Sequence, residues 1–524
     1  MKLDSLEIVK MNHRPLMNGL NMNFPKNGKG FINTNCFIGI NGSGKSQVLE
    51  SIAEIFLFVD RCYRRINRRA SPMVPAIFRI NYSIWKDGEQ FSVTISNIES
   101  KKHLPEITIK NLYGEVLSLE ENQVEQFLPS KIIGYTSGDN ETLSTPFLSY
   151  YDVYAEFVAK RAFGEEDEKD YEPRFYFMDY NTNLGIAISN MVFDTDLTNE
   201  DPENGLSQIK NELNIDRLRS FQLIIQTNQS AAPKIKSPSG ETGILLTPEL
   251  KSWLDYLKRS ATCYDYVPKE NRYVFDFHMG TASKDALMYF FKSSYRLYTA
   301  LYKFEILNNL IVDKTTRTNI EKERSKRNLT VKMPQVPDKD KVMRYSELKL
   351  KLSNSQMVDY LSLSDGEHQY FNVFGTVLMI NDQNALFLLD EPETHFNPKW
   401  RRVFISNLNA LTRTREQDLF LTSHSPFIIS DTAKEYVHIF KRVNKDKIEI
   451  EYPRLETFGA SFNHILQMAF DLSDSMSEDS SQFIEKLLKS KDVKEIEEGI
   501  SKLGDSPKIM ALFRRLELLK KDNK

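Results

Sequence analysis

One run of eight residues, Gly-Ile-Asn-Gly-Ser-Gly-Lys-Ser at 39–46, limits the possible folds of this chain more than any other feature. It fits G-x-x-x-x-G-K-[ST] in full, the pattern of a loop that cradles phosphate. The residues before it, FINTNCFI (31–38), read as a strand. Those after it, Val48, Leu49, Ile52, Ile55, Phe56 and Val59, recur at helical spacing and mark one apolar face. Between a strand and a helix, Gly39, Gly42 and Gly44 let the backbone turn tightly, so that its N–H groups can point at phosphate oxygens. The dipole of the helix N-terminus adds to the same attraction. Lys45 then reaches the β- and γ-phosphates and Ser46 ligates Mg²⁺, while Asn41, Ser43 and Gln47 complete the cradle.

A second group of motifs begins at 361. ALFLLDEPETHFNP (385–398) is an apolar strand ending in two acids. Asp390 is placed to hold the magnesium, through water. Glu391 is placed to polarise an attacking water, the base that phosphoryl transfer to water requires. DLFLTSHSP (418–426) is another apolar strand, and His424 at its end faces the side where carboxyl-terminal strand edges meet a ligand, suiting it to a γ-phosphate contact. SDGE (364–367) offers a hydroxyl, backbone N–H groups and a helix N-terminus, which suit phosphate. By itself it is equally an ordinary cap, Ser364 with Glu367 three residues on.

Around these motifs, short strands are expected at 3–9 and 18–24, and an antiparallel meander at 78–85, 91–96 and 107–110 with turns at Asp87-Gly88 and Tyr113-Gly114. Another strand, KIIGY (131–135), is followed by TSGDNE (136–141). The middle of the chain lacks such regularity. It holds an acidic loop (164–172), a Pro/Ser/Gly-rich stretch (230–243) read as mobile, and helical segments that include roughly 284–312. A hairpin at 436–441 and 447–452 and a helical C-terminus are expected beyond His424. The expected segments are a first head lobe at 1–145, a mostly helical insertion at 146–354, a second head lobe at 355–455 and a helical partner-docking or packing segment at 456–524.

In their order along the chain, GINGSGKS, LSDGE, FLLDEPETH and TSHS resemble the Walker A, signature, Walker B with D-loop, and switch-histidine motifs of ABC ATPases. The resemblance implies an α/β ABC-ATPase head, a mixed sheet with the P-loop helix plus an antiparallel β subdomain. It implies ATP and Mg²⁺ as cofactors and hydrolysis of ATP to ADP and phosphate, with Glu391 and His424 as catalytic residues. Ser364, Gly366 and Glu367 would act in trans on the nucleotide of a second copy, in a homodimer or higher oligomer. Glu393, Thr394 and His395 would occupy the D-loop, and TSGDNE sits where the Q-loop belongs but has no glutamine. DEPETHFNP and SDGEHQ are similar to OLD-family and RecF/SMC-like ATPases rather than to transporter subunits. With TFGASFNHIL (457–466) they resemble the PtuA ATPases of Septu and retron-associated anti-phage systems. That implies a separate HNH nuclease subunit as partner and, in the retron version, a reverse transcriptase and msDNA. No Asp-x-Asp follows His424, so a TOPRIM nuclease within the chain is not expected. The alternative is a RecF/SMC-like repair ATPase that clamps DNA directly, and a third reading is a nucleotide-binding scaffold with little turnover.

Composition bears on the partners. With 524 residues and a net charge of −3, the chain as a whole has no attraction for nucleic acid, which would need a local basic patch. Two are available: Arg61, Arg64, Arg65, Arg68 and Arg69 at helical spacing, and Lys314, Arg317, Lys322, Arg324, Lys326 and Arg327. Each reads either as a solvated helix end or as a phosphate-backbone contact. Three scattered cysteines without CxxC spacing suit a reducing compartment. No run approaches the ~20 apolar residues of a membrane span. The opening MKLDSLEIVK is strand-like, unlike a signal peptide, so a cytoplasmic protein is expected.

Overall fold

The computed structural model describes residues 1–25, 34–63, 73–137, 141–162, 172–179, 182–194, 205–232, 242–325, 333–412, 415, 417–470, 472 and 476–522. Most of the acidic loop, most of the Pro/Ser/Gly-rich stretch, and Arg64, Arg65, Arg68, Arg69, Lys326 and Arg327 lie outside the described residues.

Strands β1 (Lys2–Lys10) and β2 (Leu20–Asn23) precede β3 (Thr34–Ile38), the glycine loop and α1 (Lys45–Tyr63). Next come β4 (Ile77–Lys86), β5 (Glu89–Ser96), β6 (Glu106–Lys110), one turn of helix α2 (Glu121–Val124) and β7 (Ile132–Thr136). The middle contains α3 (Glu141–Ala162), β8 (Phe175–Met178), α4 (Asn183–Val192), α5 (Gly205–Glu212), β9 (Ile215–Gln226) and α6 (Pro248–Ser260). It continues with β10 (Cys263–Val267), β11 (Arg272–His278), α7 (Thr281–Phe291), α8 (Ser294–Ile306) and α9 (Lys314–Ser325). Then follow β12 (Met343–Leu352), β13 (Met357–Asp359), α10 (Asp365–Met379), β14 (Leu386–Asp390) and α11 (Pro398–Thr412). β15 (Asp418–Ser423), α12 (Pro426–Ser430), β16 (Val437–Arg442) and β17 (Ile448–Glu451) come next. Four helices follow, α13 (Phe462–Phe470), α14 (Glu478–Lys489), α15 (Val493–Ile500) and α16 (Pro507–Asp522).

The central sheet has seven strands in the order β17-β16-β3-β15-β14-β7-β8. All neighbours pair in parallel except the edge pair β16–β17. β3, β14 and β15 are buried along their whole length, so both faces are covered and their apolar runs need not alternate. Parallel pairing brings the carboxyl ends of β3, β14 and β15 side by side, and each ends in a site motif. A second sheet, β2-β1-β4-β5-β6, is antiparallel. Its β4–β5 turn has Asp87 and Gly88 at φ of 52° and 85°, the doubly left-handed turn that matches strand twist. The expected α/β fold, with a mixed sheet and a separate antiparallel sheet, is what forms.

A third sheet, β10-β11-β9-β12-β13, is also antiparallel and lies almost wholly within the segment expected to be mostly helical. Helix still outweighs strand there, but it is organised about a sheet that the sequence reading did not place. The same segment supplies β8, an edge of the central sheet. The chain divides into two compact units, Met1–Phe458 and Gly459–Lys524. In the second, Ile484, Leu487 and Leu512 form a buried core, with Met476, Leu488, Ile500 and Leu503 packed on it. There Asn463 and His464 lie within helix α13, and Leu512 and Leu516 are buried while Phe513 is exposed. No helix among the described residues is long and apolar enough to cross a membrane.

Candidate active site

The glycine loop joins the end of β3 to the start of α1. Gly39 has φ of +144°, and a Cβ there would lie 2.3 Å from the Phe440 carbonyl oxygen, so only glycine lets the loop sit this close to β16. On the other side, the Arg442 guanidinium donates to the Gly42 carbonyl at 3.4 Å. Lys45 is buried, and its Nζ donates to the carbonyls of Gly39 (2.9 Å) and Ile40 (3.3 Å) and to His424 Nε2 (3.1 Å). Burial holds this ammonium below its ordinary pKa, and the charges of Glu391 and Asp390 oppose that shift.

Asp390 ends β14 beneath the loop. Its Oδ1 accepts from Ser46 Oγ at 2.7 Å and from Thr422 Oγ1 at 2.6 Å. Burial raises its pKa, against the pull of those two hydrogen bonds. Ser46 and Asp390, 344 positions apart in sequence, thus present two oxygen donors at one point. That hard-oxygen pair is the set magnesium takes from protein. Gln47 Oε1 is buried with no hydrogen-bond partner among the described residues, and Gln47 lies in the wall of the same cleft.

Glu391 stands at φ of 49°, in the left-handed region that a non-glycine residue occupies only where its surroundings impose it. Its N–H donates to Thr422 Oγ1 at 3.0 Å, which holds that turn. Its carboxylate lies 3.2 Å from His424 Nε2, and Thr394 Oγ1 approaches it at 3.4 Å. The hydrogen bond from His424 is the main reason its pKa is lowered. His424 Nε2 therefore faces both Lys45 and Glu391. One nitrogen serves both, accepting from the ammonium when it carries no proton and donating to the carboxylate when it does.

A cleft of about 650 Å³ opens over this cluster, within the range of nucleotide-sized ligand sites. Asn41, Gly42, Gly44, Lys45, Ser46, Gln47, Glu391 and His424 stand in its wall. Gly39 and Ser43 are also buried, Ser43 with an Oγ that has no partner among the described residues. Ser364, Gly366 and Glu367 take no part in the wall. Ser364 is the exposed N-cap of α10, and its capping box with Glu367 is complete: Ser364 N donates to Glu367 Oε2 at 2.8 Å and Glu367 N to Ser364 Oγ at 3.4 Å. Gly366 packs against the next motif, since a Cβ there would come within 2.7 Å of the His395 carbonyl.

Several residues of the site escaped the sequence reading. Thr422 and Ser423 stand in the strand that leads to His424, so their proximity to it was the available signal. Arg14 left no signal: it sits in the cleft wall, buried, bonded to Glu50 at 2.6 Å and Glu54 at 3.0 Å. Lys445 and Asp446, in the β16–β17 turn, also reach the wall. In the two basic patches, Arg61 and Arg317 are engaged within the protein, while Lys314 and Lys322 are exposed. Arg61 donates to Ser149 Oγ at 2.9 Å and lies 3.8 Å from Glu321. Arg317 is buried, 3.3 Å from Glu156, with its Nε on the Val312 carbonyl. Both are occupied within the protein, because a helical charge stripe followed by a packed helix meets partners that spacing alone does not reveal.

Residues 282–431 match the family described as "AAA domain, putative AbiEii toxin, Type IV TA system". The match takes in the signature, Asp390, Glu391 and His424, and leaves the glycine loop outside. Protein ea59 of Escherichia phage lambda is 26% identical over 110 residues, which are 21% of this chain and 21% of that protein. Among solved structures, the SMC head domain from Thermotoga maritima aligns over 87% of this chain and all of its own length, at 10% identity and a TM-score of 0.32. The Smc head domain from Pyrococcus furiosus, bound to the C-terminal domain of ScpA, aligns over 86% of this chain and 96% of its own, at 11% identity and a TM-score of 0.29.

Proposed function

We propose that this chain is an ABC-type ATPase that hydrolyses ATP with magnesium and works as a pair of heads. The observation that carries this reading is the meeting of Lys45, Ser46, Glu391 and His424 in one cleft, with Asp390 bonded to Ser46 at its edge, from distant parts of the chain. The loop N–H groups and Lys45 bind the phosphates, and Lys45 exchanges its carbonyl partners for phosphoryl oxygens. Ser46 and Asp390 would hold a magnesium ion, which would neutralise charge on the phosphates. Glu391, kept ionised by His424, accepts a proton from the attacking water. His424 keeps the base oriented and contacts the γ-phosphate. Ser364 is exposed and outside its own cleft wall, which supports completion of the site in trans by a second copy, its capping bonds to Glu367 opening as it does so.

Replacing Glu391 with Gln tests the assignment. Turnover should fall by about 10²- to 10⁴-fold while ATP affinity by calorimetry stays within about twofold, because only the base is lost. Unchanged turnover in that variant would refute the role given to Glu391. Pairing is tested by mixing Lys45→Ala with Ser364→Ala chains. One intact composite site per mixed dimer should restore part of the activity that each lacks alone.

The finer reading is a PtuA-like defence ATPase whose paired heads regulate a separate HNH nuclease, with reverse transcriptase and msDNA in retron versions. It rests on the wording of SDGEHQ, DEPETHFNP and TFGASFNHIL. The rival DNA-clamp reading loses Arg61 and Arg317 as free phosphate contacts. Purification from the native host separates the two: a nuclease retained at fixed stoichiometry supports the first, and salt-sensitive DNA binding by the chain alone supports the second.

A further inference from the structure

The segment after Glu391 holds the reacting side chains from behind. Thr394 Oγ1 donates to the Glu391 carbonyl at 2.9 Å and approaches its carboxylate. Ser137 Oγ donates to Thr394 Oγ1 at 3.0 Å. His395 N donates to Gln369 Oε1 on α10 at 3.0 Å. Between them in effect, Glu393 turns inward and is 4% exposed. Its Oε1 accepts from the Ser423 hydroxyl, and its Oε2 has no partner among the described residues. Ser423 Oγ also accepts from Ser425 N at 2.9 Å, closing a turn around the single residue between them, His424.

We propose that Glu393 is a positioning residue for hydrolysis: its carboxyl group fixes the Ser423 hydroxyl, and with it the turn that presents His424 to Lys45 and Glu391. A side chain that merely filled space here would be apolar, since a buried carboxyl group with one oxygen unpartnered among the described residues costs stability. Its hydrogen bond to another side chain goes to the residue adjoining His424. Neighbouring residues 393 and 394 therefore fix the two catalytic side chains separately, Glu393 through Ser423 and Thr394 by direct contact. This inference rests on the ATPase reading above and extends it.

The test is steady-state ATP hydrolysis with ATP binding by calorimetry on the full chain. Glu393→Ala and Ser423→Ala should each lower kcat about ten- to a hundredfold, the usual effect of losing a group that orients a site residue, with KM and ATP affinity within about twofold. The double variant should be no slower than the worse single one, because both remove the same link. Glu393→Gln keeps an oxygen acceptor of the same reach and should stay within about threefold of wild type. An unimpaired Glu393→Ala, multiplicative losses in the double variant, or Glu393→Gln as slow as Glu393→Ala would each overturn the inference. If Glu393→Ala does not fold, Ser423→Ala, which removes one oxygen, decides alone. A wild-type chain without turnover defeats the ATPase reading and this inference together, whereas wild-type turnover with an unimpaired Ser423→Ala defeats this inference only.

Discussion

The buried Glu393 carboxyl group makes the stability of the protein depend on pH. Burial pushes its pKa from the ordinary 4.5 to about 7, against the hydrogen bond from Ser423. In the unfolded chain it ionises at the ordinary value. Below pH 4.5 both states hold the proton and burial carries no electrostatic penalty. Between pH 4.5 and 7 the folded state binds more protons than the unfolded one, so stability falls as pH rises. Above pH 7 the loss is complete, about 3 kcal/mol at 1.36 kcal/mol per pKa unit. Glu393→Gln removes the ionisable group and with it this slope. The unit spanning Met1–Phe458 unfolds with an entropy of about 1 kcal/mol per kelvin at ~2.1 cal/mol/K per residue. The Tm of the variant relative to wild type should therefore rise by about 3 °C between pH 4.5 and 7 and stay level to pH 8. Scanning calorimetry of both chains across that range reads it directly. A difference that stays flat with pH, or one that shrinks as pH rises, would show that the folded carboxyl group is not held neutral.

Three other outcomes follow from the same contacts. Lys45→Ala should weaken ATP binding by about 2–5 kcal/mol in calorimetry, since it strips a buried cation from the phosphate cradle. Gly39→Ala forces a Cβ onto the Phe440 carbonyl at 2.3 Å with φ of +144°, and should lower Tm or abolish folded protein at a cost of about 2–5 kcal/mol. Arg317→Ala should cost about 1–3 kcal/mol of stability by breaking its contacts with Glu156 and the Val312 carbonyl, while leaving the salt dependence of any DNA binding unchanged.

The parts of the fold legible in the sequence are those whose pattern is local. The loop at 39–46, the buried runs of β14 and β15, and the Asp87-Gly88 turn each declare themselves within a few residues. So do the acids and the histidine placed at strand ends, because parallel strands bring their carboxyl ends to one edge. The third sheet was not legible, and its strands show why. β10 is exposed along most of its length and has no apolar alternation to reveal it. β9 buries residues at irregular intervals, and its pairing with β12 shifts register three times across more than a hundred intervening residues. The partners of Arg14, Thr422 and Glu393 belong to the same class, although Thr422 stands beside His424 and Glu393 within the expected D-loop. The roles of these residues depend on what folding places opposite them, on Glu50, Asp390 and Ser423, and no spacing in the chain records those meetings.

The order of the central sheet sets a timetable for the protein's birth. β3, which feeds the glycine loop, lies between β15 and β16, and both are made long after it. From Ile38 to Asp418 the ribosome must add 418 − 38 = 380 residues before the first neighbour exists. At roughly 5–20 residues per second that is a wait of about 20–80 s. For that time a strand buried along its whole length in the finished protein has no sheet to join, and every nascent chain passes through an interval in which that segment must be shielded from its own kind.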